Sequence, residues 1–213
     1  MRIGKKIKKV SLFLAAGGLA VTAGVLTGCV KHSGGTWMFK SAPTPEGWPE
    51  LTPIGEVALR EYPTYRQAIV RREGLPEGEA GMYPMFRSLF DHISSNDIAM
   101  TAPVDMAYSE GSPRGSMESM AFLYETRELG PVGTDGSVII EDVEPMTFAS
   151  VGVRGDYTDD NYREGLELLE VWAAGQSEWD VIGEPRYLGY NGPFTPPFWK
   201  YGEVQVPVRR AAR

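Results

Sequence analysis

Histidine and cysteine are scarce in this sequence, and their number limits the chemistry that it can perform. The chain holds two histidines, His32 and His92, and one cysteine, Cys29. A Ser–His–Asp triad needs a folded histidine, and a structural zinc site needs about four Cys or His ligands. The sequence therefore excludes a multi-histidine or cysteine-based metal site and an intramolecular disulfide. It has no Gly-x-Ser-x-Gly elbow, phosphate-binding Gly-rich loop or His-Glu-x-x-His motif, and no spacing marks a catalytic carboxylate pair.

His92 has two interpretations. It follows Met85 and Leu89 by seven and three residues, which places it on the same face of a helix. It could therefore ligate a haem iron. The simpler interpretation is a histidine near a helix C-terminus that interacts favourably with the macrodipole.

Methionine is concentrated between residues 82 and 120 of the sequence. Because its side chain is unbranched and polarizable, methionine lines adaptable apolar pockets, although it is also an ordinary core residue. The cluster consists of Met82, Met85, Met100, Met106, Met117 and Met120.

Cys29 is predicted to carry a lipid. Residues 1–28 have a basic start and then an apolar run, as a secretory signal does. The run of about 16 residues is short for a bilayer-spanning helix, which needs about 20. It ends in Leu26-Thr27-Gly28-Cys29, the pattern of a bacterial lipobox, in which the cysteine is acylated and becomes the new N-terminus. An uncleaved anchor or a simple secretory signal is the alternative.

The next segment, 29–53, is predicted to be a lipid-anchored tether because Gly, Pro and polar residues dominate it. Trp37, Phe39 and Trp48 are unusual in such a linker. They would either pack on the domain or lie at the lipid headgroups. With a lipid on Cys29, the protein is predicted to lie on the outer side of the cytoplasmic membrane, or at the outer membrane where the organism has one.

Residues 54–213 are predicted to form one α+β domain with an internal repeat. Helices are expected at 81–94 and 162–174, the first with an apolar stripe of Met82, Phe86, Leu89 and Ile93. Asn161 and Glu164 are spaced as a capping box for the second helix. The expected strands are 57–62, 65–70, 98–108, 119–125, 138–143, 146–153, 185–190 and 203–208, with a loop at 111–115. Each half reads β-α-β-β, which predicts an antiparallel sheet or open barrel with two helices.

Charge argues against a nucleic-acid partner. Of 21 basic residues, five precede Cys29 and no acid does, so the remaining chain holds 16 basic and 28 acidic residues, a balance of −12. A nucleic-acid binder needs a basic face to neutralise phosphates. The composition, 42% hydrophobic and 23% charged, is typical of a globular protein, and we expect a monomer.

Four segments, in the same order, resemble the SOUL haem-binding protein family. Residues 98–104 read IAMTAPV, the family signature, and residues 59–65 read LREYPTY, similar to its IRxYPxY opening. Residues 85–93 resemble its FxxLFxYI helix, and residues 190–204 resemble its closing YDPPWTPPFLRRNEV. The similarity extends over residues 55–208.

The resemblance implies a distorted antiparallel β-barrel with two helices and pseudo-two-fold symmetry, related to the effector-binding domains of multidrug-sensing regulators. It also implies non-covalent haem in an apolar pocket beside the first helix, with cations for the propionates. The residues that would hold the ligand are Met82, Met85, Phe86, Leu89, His92, Met100 and Lys200.

Three functions are consistent with this resemblance. The first is an envelope lipoprotein that reversibly binds haem or another tetrapyrrole and is not an enzyme. The second is a binder of other bulky apolar small molecules. The third is a hydrolase on the same fold, with Glu61, Tyr62, Tyr124 and Glu125 as residues of the right type. The sequence departs from the family at His92, where the family usually has Tyr, and at Tyr201 and Gly202 of the closing motif.

Overall fold

The computed structural model describes residues 30–33, 36–39, 41–73, 75–76, 79–109 and 117–212. The predicted leader, Cys29 and the predicted loop at 111–115 lie outside the described residues. Within these ranges, no helix is both long and apolar enough to cross a bilayer.

Two helices and twelve strands make up the described fold, with one short 3-10 turn at Pro197–Trp199. The helices are α1, Met82–Ser95, and α2, Asp159–Ala174. The strands are β1 Val30–Ser33, β2 Thr36–Phe39, β3 Val57–Tyr62, β4 Tyr65–Arg71, β5 Val104–Tyr108, β6 Met117–Leu123, β7 Gly133–Asp135, β8 Val138–Val143, β9 Met146–Arg154, β10 Trp179–Val181, β11 Arg186–Gly189 and β12 Tyr201–Arg210.

Ten strands form one antiparallel sheet in the order β3-β9-β12-β11-β5-β6-β4-β8-β7, with β10 paired to the end of β12. Only Pro63 and Thr64 connect β3 to β4, although five strands separate them in this order. The sheet must therefore curve strongly. No ladder between the described strands closes it, so the α+β class is confirmed and "barrel" describes the shape only loosely.

The predicted repeat is present in the topology. One half contains β4, α1, β5 and β6, and the other contains β9, α2, β11 and β12. The halves meet where β5 pairs with β11, with Val104 opposite Gly189. Each half also has a preceding strand, β3 in the first and β8 in the second. These two strands are exchanged, since β3 pairs with β9 and β8 pairs with β4.

Helix α2 begins three residues earlier than predicted. Its N-cap is Thr158, whose hydroxyl accepts a hydrogen bond from the Asn161 backbone N–H at 3.3 Å. Asp159 and Asp160 occupy the first turn, where acidic side chains favour the positive end of the helix dipole. The Asn161 side chain instead donates to the carbonyl of Asp156 at 2.6 Å, so the predicted capping box is wrong.

Both faces of the sheet are covered. The helices pack on one face and form the main core with residues such as Leu89, Leu169 and Val204. On the other face, Met38 and Leu51 are buried with Tyr190 and Tyr201. Residues 36–39 and 41–53 of the predicted tether thus contribute directly to the buried interior.

Candidate functional site

Helix α1 presents two apolar stripes, and the sheet covers one of them. Met85, Leu89 and Ile93 follow at intervals of four residues and are buried in the main core. Residues spaced by four lie above one another on a helix, so this stripe faces the sheet. Met82 is 39% exposed, so its predicted burial with Leu89 and Ile93 is wrong.

The second stripe of α1 faces outward and is apolar. It consists of Met82, Phe86 and Phe90, with Tyr83 beside it; Phe90 is 47% exposed and Tyr83 more so. The rings of Phe86 and Phe90 are nearly parallel, with 10° between planes and 6.2 Å between centroids. Phe86 also packs edge-on against Phe122 at 5.0 Å, which fixes its ring. We call Met82, Tyr83, Phe86 and Phe90 the α1 outer face; it is apolar and partly exposed.

The side chain of His92 is held by two partners. Its Nδ1 lies 2.7 Å from Asp135 Oδ2, and its Nε2 lies 2.8 Å from the Tyr124 hydroxyl. An imidazole protonated at Nδ1 satisfies both contacts, because it donates to Asp135 and accepts from Tyr124. Burial raises the pKa of Tyr124, which keeps that hydroxyl protonated as a donor. Binding iron would therefore require His92 to lose one of these hydrogen bonds.

The remaining two predicted residues lie in different places. Met100 is partly buried and packs against the main core with α1. The Lys200 ammonium lies 2.6 Å from Asp156 Oδ1 and 5.9 Å from the centroid of the Tyr157 ring. Those contacts are at the start of α2. On the α1 surface the described cation is Arg87, whose Nε is 3.6 Å from Asp91 Oδ2.

Helix α2 has a different surface. Its outward side chains are charged: Arg163, Glu164, Glu167 and Glu170 are exposed. Its inner face approaches the sheet closely at Gly165, where an added Cβ would lie 2.5 Å from Val204 Cγ2.

Beside α2 lies an open cavity of about 630 Å³. Leu166, Val181 and Ile182 contribute to its apolar lining. Ionisable side chains also line it: Asp159, Arg163, Glu170 and Glu184. We call it the α2 cavity.

The sheet face opposite the helices carries a buried carboxylate that the sequence analysis did not identify. Glu203 is 1% exposed. Its Oε1 accepts from the backbone N–H of Thr52 at 2.9 Å and lies 2.7 Å from the Tyr201 hydroxyl. Its Oε2 accepts from Gln205 Nε2 at 2.9 Å. The same oxygen is 3.3 to 3.5 Å from the hydroxyl oxygens of Tyr190, Ser150 and Tyr62.

The tyrosines of this Glu203 cluster remain protonated donors. Burial, and after it the charge of Glu203, raises the pKa of Tyr62, Tyr190 and Tyr201. Trp48 covers the cluster: its indole N–H donates to the Tyr190 hydroxyl at 3.0 Å, and its ring packs edge-on against Tyr62 at 4.6 Å. The predicted alternative that Trp48 packs on the domain is therefore the one observed.

A pattern in β12 could have indicated the cluster. Tyr201, Glu203 and Gln205 alternate with Val204 and Val206, so they share one face of a strand. Four residues were of the right type for a hydrolase. The Tyr62 hydroxyl is hydrogen-bonded to Glu203, and the Tyr124 hydroxyl to His92. Glu61 and Glu125 are exposed. Among the described residues, no group of three or more His, Cys, Asp or Glu side chains could hold a metal ion.

The fold defines a class, an antiparallel α+β domain built from two halves of one topology. The model of the family described as SOUL heme-binding protein matches residues 51–207 of this sequence. The chain therefore belongs to the SOUL family, as the four sequence segments predicted. No curated protein matches the sequence significantly.

Solved structures share the fold at low identity. The C-terminal domain of EcmrR is 15% identical with a TM-score of 0.53, and the match covers 73% of this chain and 98% of that domain. EcmrR in its DNA complex is 17% identical with a TM-score of 0.54; the match covers 73% of this chain but only 58% of that one. A hydrolase from Listeria innocua is 11% identical with a TM-score of 0.54, over 74% of this chain and 94% of its own. These similarities show that this chain and those structures have a common fold.

Replacing Glu203 tests whether the cluster stabilises the fold. In the wild type, the buried donors share the two carboxylate oxygens of Glu203. The amide of Glu203→Gln has one acceptor oxygen, so some of these donors lose their partner. We expect the free energy of unfolding in urea to fall by roughly 1–3 kcal/mol. Glu61→Gln, an exposed change on β3, is the matched control and should have little effect. Equal stabilities of the two variants would contradict a structural role for the Glu203 cluster.

Proposed function

We propose that the protein is a lipoprotein of the bacterial cell envelope that reversibly binds haem or another tetrapyrrole on the α1 outer face. The observation that carries this proposal is the difference between the two related helices. Helix α2 exposes mostly charged side chains, whereas α1 leaves Met82, Tyr83 and Phe90 exposed beside a half-buried Phe86. Family membership supports haem as the ligand.

A tetrapyrrole fits this surface because it is a large flat apolar ring. Removing apolar surface from water contributes about 25 cal/mol per Å², so burying one face of such a plate supplies much of the affinity. The parallel rings of Phe86 and Phe90 match the plate in shape. Met82 adds a flexible, polarizable side chain at the edge. Met85 and Leu89 lie beneath this surface and keep α1 on the sheet.

Iron coordination contributes little to this binding. Both ring nitrogens of His92 are already hydrogen-bonded, and the residue is buried behind the α1 outer face. Arg87 is the cation placed to meet a propionate, although Asp91 competes for it. The balance of −12 over residues 29–213 also opposes an anionic ligand. We expect micromolar affinity, about −8 kcal/mol.

A second candidate ligand is a bulky apolar cation in the α2 cavity. Among the described lining residues, three carboxylates, Asp159, Glu170 and Glu184, stand against one cation, Arg163, which is itself 3.5 Å from Asp160. This charge pattern favours a positively charged ligand over haem, and the volume of about 630 Å³ is within the usual range for small-molecule sites.

A binding role is favoured over an enzymatic one by the burial of Glu203. Glu203 is the carboxylate that tyrosines surround, and residues 48–52 cover it. A substrate would have to displace this segment before it reached the carboxyl group.

Hemin titration of variants on each surface tests the ligand site. We expect the unmodified protein to give a broad Soret band, typical of poorly ligated iron. Phe90→Glu places a charge on the α1 outer face and should weaken binding at least about tenfold, which corresponds to about 1.4 kcal/mol. His92→Ala should change the spectrum little. Because Met85 and Leu89 are core residues, charged substitutions there would unfold the protein and are less informative.

Two control variants make the titration decisive. Val171→Glu, on the exposed side of α2, should leave hemin affinity unchanged. Leu166→Arg adds a positive charge to the α2 cavity, so it should weaken binding of a cationic dye there and leave hemin binding intact. A sharp low-spin spectrum that His92→Ala abolishes would establish His92 as an iron ligand and contradict this proposal. Hemin binding that Leu166→Arg abolishes would move the site to α2.

Lipid attachment is tested at Cys29. The wild-type protein should yield an N-terminal peptide that begins at an acylated Cys29 by mass spectrometry, because the lipobox directs acylation and cleavage. Cys29→Ser should keep its leader and carry no acyl chain, whereas Gly28→Ala keeps a small residue before the cysteine and should be processed normally. If Cys29→Ser and the wild type have the same N-terminus and mobility, residues 1–28 are an ordinary anchor or signal.

A further inference from the structure

The segment between β11 and β12 exposes large aromatic side chains. Phe194 is 98% exposed and Phe198 71% exposed, and Trp199 is exposed as well. The rings of Phe198 and Trp199 are 6.0 Å apart. Exposed apolar residues that cluster in this way mark an interaction surface, because scattered single residues are the ordinary case.

The ends of this segment are fixed, so these side chains are held outward. The Asn191 backbone N–H is 2.6 Å from the Tyr157 hydroxyl, and the Asn191 side chain accepts from the Tyr201 backbone N–H at 2.8 Å. Pro193, Pro196 and Pro197 further restrict the backbone between them.

The N-terminal hairpin lies against the same segment. Asn191 Nδ2 donates to the Phe39 carbonyl at 2.5 Å. Arg154 connects the two parts, since Nη2 donates to the Trp37 carbonyl at 2.5 Å and Nη1 to the Trp199 carbonyl at 3.4 Å. Trp37 is exposed as well, so the exposed aromatic residues here number four. We call Trp37, Phe194, Phe198 and Trp199 the aromatic rim.

Val30, the first described residue, lies in the same hairpin as Trp37 of this rim. Val30 pairs with Phe39 in the hairpin. Cys29 precedes Val30 directly, and consecutive Cα atoms are about 3.8 Å apart. The acyl chains would therefore enter the membrane beside the aromatic rim.

We infer that the aromatic rim docks into the headgroup region of the phospholipid bilayer that holds the lipid of Cys29. Tryptophan is favoured at that depth because its ring combines apolar surface with a polar N–H, and phenylalanine rings beside it add apolar surface that inserts at the headgroup and acyl-chain boundary. The inference rests on the lipid attachment proposed above. Residues 29–213 carry a balance of −12, so apolar insertion and not attraction to anionic lipid is the stabilising force. The lipid and the rim together fix the orientation of the domain on the membrane.

The single cysteine of the chain makes this docking measurable. Once Cys29 is acylated, Phe198→Cys and Phe194→Cys each provide one free thiol for a polarity-sensitive fluorophore. Val171→Cys is the matched control. Val171 is 72% exposed and lies in the last turn of α2, among charged side chains and at the opposite end of the helix from Lys200. The lipidated full-length proteins are reconstituted in zwitterionic phosphatidylcholine vesicles, with and without brominated acyl chains.

Labels at Phe198 and Phe194 should shift to the blue and lose most of their emission with brominated lipid, while the Val171 label should do neither. Flotation of the same samples reports lipid attachment separately. Protein that floats with its rim labels still unquenched would overturn the docking and leave the lipid attachment intact. Protein that does not float would overturn the lipid attachment and the docking with it.

Discussion

Burial of the Glu203 carboxylate is the constraint on which the rest of the structure depends. A buried carboxylate is stable only when donors replace the water that it has lost. Here the donors come from Thr52, from β3 and β9 through Tyr62 and Ser150, and from β12 itself. Satisfying them requires the sheet to curve and residues 48–52 to lie across its face. The same requirement brings the N-terminal hairpin to the end of the domain where the aromatic rim lies.

With the sheet held in this way, the outward surfaces of the two helices can differ in sequence. The two halves share one topology, and each helix buries one face against its own strands. Nothing in that packing specifies the outward face, so α1 carries Met82, Phe86 and Phe90 there, while α2 carries charges beside an open cavity. Duplicated scaffolds of this kind can hold one ligand surface without losing stability, because the outward residues contribute little to the core.

Local patterns in the sequence predicted the elements well, and long-range contacts explain what they missed. The apolar spacing placed α1 within one residue of its bounds, and the repeat followed from the same patterns. The prediction of which α1 residues are buried was partly wrong. The stripes Met82-Phe86-Phe90 and Met85-Leu89-Ile93 are both apolar, and only contact with the sheet decides which stripe is buried. The Glu203 cluster was missed because its donors at Thr52, Ser150 and Tyr190 are far apart in the chain. Asn161 was mistaken for the N-cap because an acidic residue follows it within one turn. Acidic residues also follow Thr158, which is the actual N-cap.

Paramagnetic broadening in solution NMR shows whether the α1 outer face holds the tetrapyrrole. Ferric hemin broadens backbone signals of residues close to the iron, whereas zinc protoporphyrin, which is diamagnetic, provides the reference. Binding on the α1 outer face should broaden the signals of residues 82–91 and leave those of 163–171 in α2 and of 41–53 over the Glu203 cluster sharp. Broadening confined to 163–171, or to 41–53, would contradict it and place the ligand in the α2 cavity or inside the curved sheet.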